Sequence, residues 1–137
     1  MRENELVRFI YLPKITDDGS LVFAQTPDHI PFPINRIYSI FDADPKFPRG
    51  FHAHKKTQQV LFCLNSDIKI IVDDGKKRAT VFLDKPEHGL FLDKMVWHEM
   101  HDFKKKTILL VLASNLYDPD DYIRDYKEFL GLSKASG

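Results

Sequence analysis

Residues 49–64 read RGFHAHKKTQQVLFCL, and the spacing within that stretch sets the fold. His52 and His54 are one residue apart, so on an extended strand both imidazoles leave the same face. Phe51, Ala53 and Lys55 then take the opposite face. A second apolar run, Thr57 to Leu64, follows at once, and along it Gln59, Leu61 and Cys63 share a side. Two titratable rings are thereby held side by side on a rigid element. Histidine changes charge near neutral pH, so the pair suits either metal ligation or proton transfer.

Outward from this stretch the chain reads as short strands with turn chemistry between them. The expected strands are Val7 to Leu12, Ser20 to Gln25, Ile34 to Phe41, Phe51 to His54 and Thr57 to Leu64. Asp67 to Val72, Arg78 to Leu83, Gly89 to Leu92, Met95 to His98 and Thr107 to Ala113 complete the set. Ile68, Ile70 and Val72 alternate with Asp67, Lys69 and Ile71, the pattern of a strand buried on one face. Asp73-Asp74-Gly75 lies between two such runs and suits the positive φ angles of a tight turn. Many short strands at regular spacing predict an all-β sandwich or barrel. The tail differs. Asp118-Pro119-Asp120-Asp121 has the form of an N-cap, a first-turn proline and first-turn acids. Tyr122, Ile123, Tyr126, Phe129 and Leu130 follow at helical spacing, with Gly131 as a stop, which predicts one short C-terminal α-helix. The tyrosines of that stripe are expected to pack, and Arg124 lies off it, either solvated or reaching a phosphate.

Composition narrows the function. At 137 residues, a single domain spanning residues 1–137 is expected. Twenty Lys and Arg balance twenty Asp and Glu, so no global field favours nucleic acid or an anionic membrane. Lys104-Lys105-Lys106 reads as a solvated turn. Cys63 is the only cysteine, which excludes an internal disulfide and a cysteine-built zinc site, and its apolar run predicts a buried thiol. No apolar stretch approaches the roughly 20 residues of a membrane span. Met1-Arg2-Glu3-Asn4-Glu5 carries no leader pattern, so a cytoplasmic location is expected.

Strand phase extends the polar face. Arg36 and Tyr38 point one way from their strand, with Asn35, Ile37, Ser39 and Phe41 on the other side. His98 points opposite Trp97 and Glu99. A barrel interior that gathers His52, His54, Tyr38, Gln59 and His98 is a polar pocket in an apolar shell. His29, His88 and His101 are assigned surface or structural roles.

The pattern His52-x-His54-x4-Gln59, with His98 later, resembles the two motifs of the cupin superfamily. Metal-binding cupins place a glutamate near Gln59. Its neutral amide is a weaker ligand for a divalent cation, although three imidazoles could still hold zinc or iron.

A closer resemblance covers nearly the whole chain. Arg49-Gly-Phe-His-Ala-His-Lys55, Gln59-Val-Leu61, Asp73-Asp-Gly75, Gly89-Leu90, Trp97-His-Glu-Met100, Val111-Leu-Ala-Ser114 and Tyr117-Asp-x-x-Asp-Tyr-Ile-Arg-Asp-Tyr126 resemble the nucleotide-sugar 3,4-ketoisomerases. These are small cupin enzymes acting on dTDP-4-keto-6-deoxyglucose. The resemblance implies a cupin-like jelly-roll barrel and an isomerase without metal or other cofactor. It also implies a homodimer intertwined through N-terminal strands, and a place in supplying 3-keto sugars for deoxy amino-sugar glycans. Two departures are Asn65-Ser66, where a glycine usually follows the asparagine, and Asp17-Asp18-Gly19, where members vary and product stereochemistry is set in part.

The chemistry implied is removal of the C3 proton, acidified by the C4 ketone, and return of a proton at C4. A histidine is a suitable base for this, worth about 10²–10⁴-fold in rate. His52 is assigned as the base at carbon, although strand phase alone does not rank it above His54. His54 then orients the sugar or moves protons between O3 and O4, and Tyr38 donates to the developing oxyanion. Arg36, Arg49 and Arg124 are assigned to the diphosphate, whose oxygens suit guanidinium forks. Gln59 and His98 complete the sugar pocket; His98 either contacts the sugar and biases the face of protonation or is structural, and the Trp97-His98 pairing resembles that of members that give a galacto product. The alternatives are a sugar-nucleotide 3,5-epimerase-like enzyme with a His-Asp dyad, a metal-dependent cupin oxygenase, and a silent sugar-binding cupin.

Overall fold

The computed structural model describes residues 5–136; residues 1–4, where most of the leader reading falls, lie outside them. Two antiparallel five-stranded sheets carry the chain. The first runs, edge to edge, β1 (Arg8–Tyr11), β9 (His88–Leu92), β6 (Gln59–Asn65), β11 (Ile108–Ala113) and β4 (Arg36–Ile40). The second runs β12 (Tyr122–Ile123), β5 (Arg49–His54), β10 (Trp97–His101), β7 (Ile68–Asp73) and β8 (Arg78–Leu83). β2 (Lys14–Thr16) and β3 (Ser20–Val22) pair only with each other.

The alternation seen in the sequence places the core. Leu61, Cys63, Leu90, Leu92, Leu109 and Val111 of the first sheet meet Ile68, Ile70, Val72, Val81, Leu83 and Met100 of the second. Each such side chain, fully buried, contributes about 1.5–3 kcal/mol. Two satellite clusters cover the outer faces. Val60, Phe62, Phe91 and Leu112 are roofed by Ile30 and Phe32 of the β3–β4 connection. Ala53, Trp97 and Ile123 are roofed by Phe129 of α1 (Tyr126–Ser136). This is a jelly-roll barrel of the expected all-β class with one C-terminal helix. No helix among the described residues is long and apolar enough to cross a membrane.

Local chemistry explains the turns. Between β7 and β8, Gly75 takes φ 92° and the Asp74 amide donates to the Lys77 carbonyl, closing the turn. Ser66 takes φ 65°, a left-handed conformation that glycine adopts without a Cβ penalty. Lys104 pairs with Asp67 beside a turn, and Cys63 is buried.

Three expectations are corrected. β10 begins at Trp97, not Met95, because Met95 takes φ 61° and interrupts the extended run. Lys14–Thr16, outside the expected strands, is a strand, and its partner stops at Val22. The helix does not start at Asp118. That aspartate caps a single 3-10 turn, Pro119–Asp121, after which Tyr122–Ile123 pairs with β5 as a strand. The α-helix begins at Tyr126, where Asp125 accepts from the amides of Lys127 and Glu128, and it runs through Gly131 to Ser136. Asp118 and Asp125 both satisfy the capping rule, and the α-helix forms behind the second.

Candidate active site

The site lies where the first sheet's edge approaches the second sheet. β4 supplies Arg36 and Tyr38, β6 supplies Gln59, β5 supplies Arg49, His52 and His54, and β10 supplies His98. A β-bulge aims β5. His52 pairs with His98, but Gly50 pairs with Glu99, so Phe51 is the extra residue. Gly50 and Phe51 take φ of 91° and 59°. The bend keeps His52 and His54 on the inner side while Ala53 is fully buried beneath α1.

The three imidazoles converge. The ring of His52 lies 5.1 Å from that of His54 and 4.6 Å from that of His98, centroid to centroid. His54 and His98 stack at 6.0 Å and 15°. Tyr122 closes the group, 4.9 Å from His52 and 4.5 Å from His54. His52, Tyr38, Arg36, Arg49, Tyr117 and Tyr122 line an open cavity of about 450 Å³. His54 and His98 are buried beside His52.

Hydrogen bonds fix the protonation pattern. A carbonyl oxygen can only accept, so the His52 contact with Gly50 O at 3.1 Å places a proton on Nδ1 and leaves Nε2 as the acceptor. His98 Nδ1 makes the equivalent contact with Val96 O at 3.3 Å. His54 Nδ1 lies 2.9 Å from Asp121 Oδ2, and its Nε2 is buried with no hydrogen-bond partner. Asp121 is bound at both oxygens: Oδ2 also accepts from the Thr57 hydroxyl at 2.5 Å, and Oδ1 from the Lys56 amide at 2.6 Å.

Electrostatics agree. Burial, followed by the neighbouring His54, pushes His52 down to about 4, against a weaker upward pull from the Gly50 carbonyl. Burial also lowers His54, partly offset by Asp121, and places His98 well below its ordinary value. All three rings are therefore neutral at pH 7. Burial raises the Tyr38 phenol to about 12, so it stays protonated. Burial alone would raise the Asp121 carboxyl, but hydrogen bonds from Thr57, His54 and the Lys56 amide hold it below its ordinary value.

Of the assigned arginines, Arg36 and Arg49 line the cavity. The Arg36 guanidinium lies 5.6 Å from the Tyr38 ring and 5.8 Å from the Tyr117 ring, and its Nε is buried without a partner. Arg124 is exposed and stacks over Tyr122 at 4.4 Å. Gln59 is fully buried and donates from Nε2 to the Tyr38 hydroxyl at 2.8 Å, so it touches the phenol and is absent from the cavity wall.

A ligand nitrogen from each of His52, His54 and His98 lies within 4.8 Å of the others. Three neutral imidazoles with free Nε2 atoms have the donor chemistry to hold a divalent transition ion. Among the described residues no carboxylate joins this cluster: Gln59 gives its amide to Tyr38, and Asp121 binds His54 at Nδ1.

Asp121, Tyr122 and Thr57 were missed as site residues. In the sequence Asp121 has the form of a first-turn acid and Tyr122 that of a packing-stripe residue, which conceals a 3-10 turn ending at Asp121 and a strand that carries Tyr122 against β5. The tyrosine reading holds for Tyr126, which packs on Trp97 and Phe129. His101 is structural, bound to Glu99 at 2.8 Å.

Residues 5–134 match the FdtA family, described as WxcM-like, C-terminal. The chain belongs to this family of nucleotide-sugar 3,4-ketoisomerases. Within the family it is 49% identical over 128 residues to a TDP-4-oxo-6-deoxy-alpha-D-glucose-3,4-oxoisomerase from Aneurinibacillus thermoaerophilus, covering 93% of this chain and 90% of that one. It superposes with a TM-score of 0.93 on a sugar 3,4-ketoisomerase from Thermoanaerobacterium thermosaccharolyticum in complex with TDP, at 39% identity over 97% and 98% of the two chains. A variant of that ketoisomerase with one histidine replaced by asparagine, in complex with TDP-4-keto-6-deoxyglucose, superposes at 0.92, again 39% identical, over 98% and 97%. The chain is thus an isomerase of the family, with a cupin-like barrel.

Proposed function

We propose that this chain, as one domain, moves the keto group of dTDP-4-keto-6-deoxyglucose from C4 to C3 by histidine acid/base catalysis. The observation that carries the reading is the state of His52: a neutral ring on the cavity wall, its Nδ1 proton given to Gly50 and its Nε2 free. Such a nitrogen takes the C3 proton. The electron pair forms C3=C4 and charge develops on O4, which the Tyr38 hydroxyl meets as a hydrogen-bond donor. His54 moves the remaining proton from O3 to O4, and C4 is protonated as the C3 ketone forms. The substrate loses no electrons, so no redox cofactor takes part, and the imidazoles do their proton work without a metal ion.

Arg36 and Arg49, which line the cavity, and Arg124, which stacks over Tyr122 beside it, hold the diphosphate, Arg36 with its unpartnered Nε. Gln59 acts through Tyr38. His98 lies against His52, positioned to bias the face on which C4 is protonated, and the reading adopted is a galacto product. The 3-keto sugar would feed an aminotransferase that builds a deoxy amino-sugar glycan. We also propose a cytoplasmic enzyme and an intertwined homodimer. Supporting the latter, Phe9, Tyr11, Ile15 and Leu21 of the N-terminal strands are exposed apolar residues.

NMR of the reaction in D₂O tests the whole reading. The expected result is a C3 ketone, deuterium at C4 once the proton taken up by His52 has exchanged with solvent, and an axial 4-hydroxyl, unchanged after dialysis against a chelator. Loss of turnover with stoichiometric iron removed would overturn the metal-free mechanism.

One observation favours the epimerase alternative: the His54–Asp121 pair is the dyad that reading expects. It predicts a different spectrum in the same tube, with deuterium at C3 and C5 and the ketone still at C4.

A further inference from the structure

We infer that Asp121 is a positioning residue: its carboxylate locks His54 in the Nδ1–H tautomer and so leaves Nε2 a lone pair for the sugar's hydroxyl proton. The inference rests on the ketoisomerase reading above and gives that site its tautomer control.

The geometry permits no other arrangement of protons. Asp121 accepts at both oxygens, from the Thr57 hydroxyl and the Lys56 amide, and its third short contact is His54 Nδ1 at 2.9 Å. An ionised carboxylate has no proton to give, so the imidazole must donate. Nε2 is then unprotonated. It is buried, has no hydrogen-bond partner, and lies among the rings of His52, His98 and Tyr122. A buried acceptor left without a partner is costly, and a substrate hydroxyl would satisfy it.

The proton ledger of the reaction shows what that lone pair does. His52 breaks the C3–H bond, the pair becomes C3=C4, and the carbonyl pair moves onto O4. His54 Nε2 accepts the O3 proton and passes it to O4. The O3 pair then forms the C3 carbonyl, and the C3=C4 pair takes a proton at C4 from the His52 imidazolium. Bonds broken and made balance, with no oxidant or reductant. Between the two transfers His54 is an imidazolium, and the adjacent carboxylate stabilises that charge. The opposite tautomer, with hydrogen on Nε2, could not take the O3 proton. In another fold, removing the orienting carboxylate of a Ser-His-Asp triad by an isosteric asparagine costs about 10⁴ in kcat through the wrong tautomer.

The test is Asp121→Asn, which keeps the shape and can still accept from Lys56 while turning an amide donor toward Nδ1. Nitrogen-15 NMR of histidine-labelled protein, without substrate, should show His54 protonated at Nδ1 in the wild type and at Nε2 in the variant. kcat should fall at least a hundredfold, with KM changed less than about threefold and the melting curve still cooperative. A wild-type His54 protonated at Nε2 overturns the inference before any variant is made, and so does a variant that loses activity with its tautomer unchanged. If Asp121→Asn does not fold, the wild-type spectrum alone decides. Failure of the wild type to move the ketone would sink the ketoisomerase reading, while the tautomer measurement would stand apart from it.

Discussion

Gln59 Nε2 donates to the Tyr38 hydroxyl oxygen at 2.8 Å, from a position that is itself fully buried. The phenol oxygen thus has an acceptor site filled by protein, and its own proton remains available to the cavity that Tyr38 lines. Burial lifts this phenol to about 12, so it donates without ionising.

Tyr38→Phe should therefore lower kcat by about 10²–10³ while KM changes little, since a donor aimed at developing charge acts mainly in the transition state. Gln59→Glu should do similar damage, because a carboxylate beside the phenol would capture its proton. Steady-state kinetics of both variants checks this. A Tyr38→Phe enzyme that lost only KM would place the phenol in ground-state binding.

His52→Asn should reduce turnover at least 10²-fold, the usual minimum for loss of a general base, and leave TDP affinity within a few-fold. His52 is assigned to carbon and sugar, whereas Arg36, Arg49 and Arg124 hold the diphosphate. Calorimetric titration with TDP beside a single-turnover assay separates the two. More than a tenth of wild-type rate would move the base role to His54.

Much of this was legible in the sequence for a physical reason. Period-two alternation in Ile68–Val72 and the one-residue gap between His52 and His54 are local properties, and a strand converts them directly into faces. Convergence with Tyr38, Gln59 and His98 followed from phase, because the bulge at Phe51 leaves His52 and His54 on the same side. What phase could not reveal was long-range pairing. Asp121 is 67 positions from His54, and its place depends on a two-residue strand too short to show any period. The chain reads there as a helix cap, and the first turn of a helix is where an unpaired acid would ordinarily be expected.

The pH dependence has a definite sign. His52 is pushed down to about 4 in the folded chain from an ordinary 6.5, mainly by burial. A neutral base is thus present throughout the neutral range, and kcat/KM should stay flat from pH 8 to about 6 and fall only in moderate acid. A bound diphosphate adds negative charge and should raise the apparent pKa in the kcat profile. Stability follows the same shift. A histidine with a depressed folded pKa contributes stability above the unfolded value, lost as pH falls toward the folded one. His54 and His98 are lowered as well, so Tm should fall between pH 6.5 and about 4. His52→Asn should flatten that fall; an unchanged slope would mean that the ring is not buried as described.

Gly50 links the backbone to the chemistry. It takes φ 91°, and an added Cβ would lie 3.0 Å from the His98 carbonyl oxygen and 3.3 Å from Met100 Cε. Its own carbonyl accepts the His52 Nδ1 proton. Gly50→Ala should cost about 1–3 kcal/mol, for left-handed strain plus the close contact. It should also lower kcat beyond what instability explains, since relief of the clash moves the carbonyl that orients the base. Gly131→Ala is the control: it lies in α1, an added Cβ meets nothing within 4 Å, and it should gain about 0.5–1 kcal/mol. Urea unfolding of the two variants, with kcat measured at a temperature where both are folded, decides the point. A Gly50→Ala enzyme that is destabilised yet retains wild-type kcat would show that the bulge supports the barrel without aiming His52.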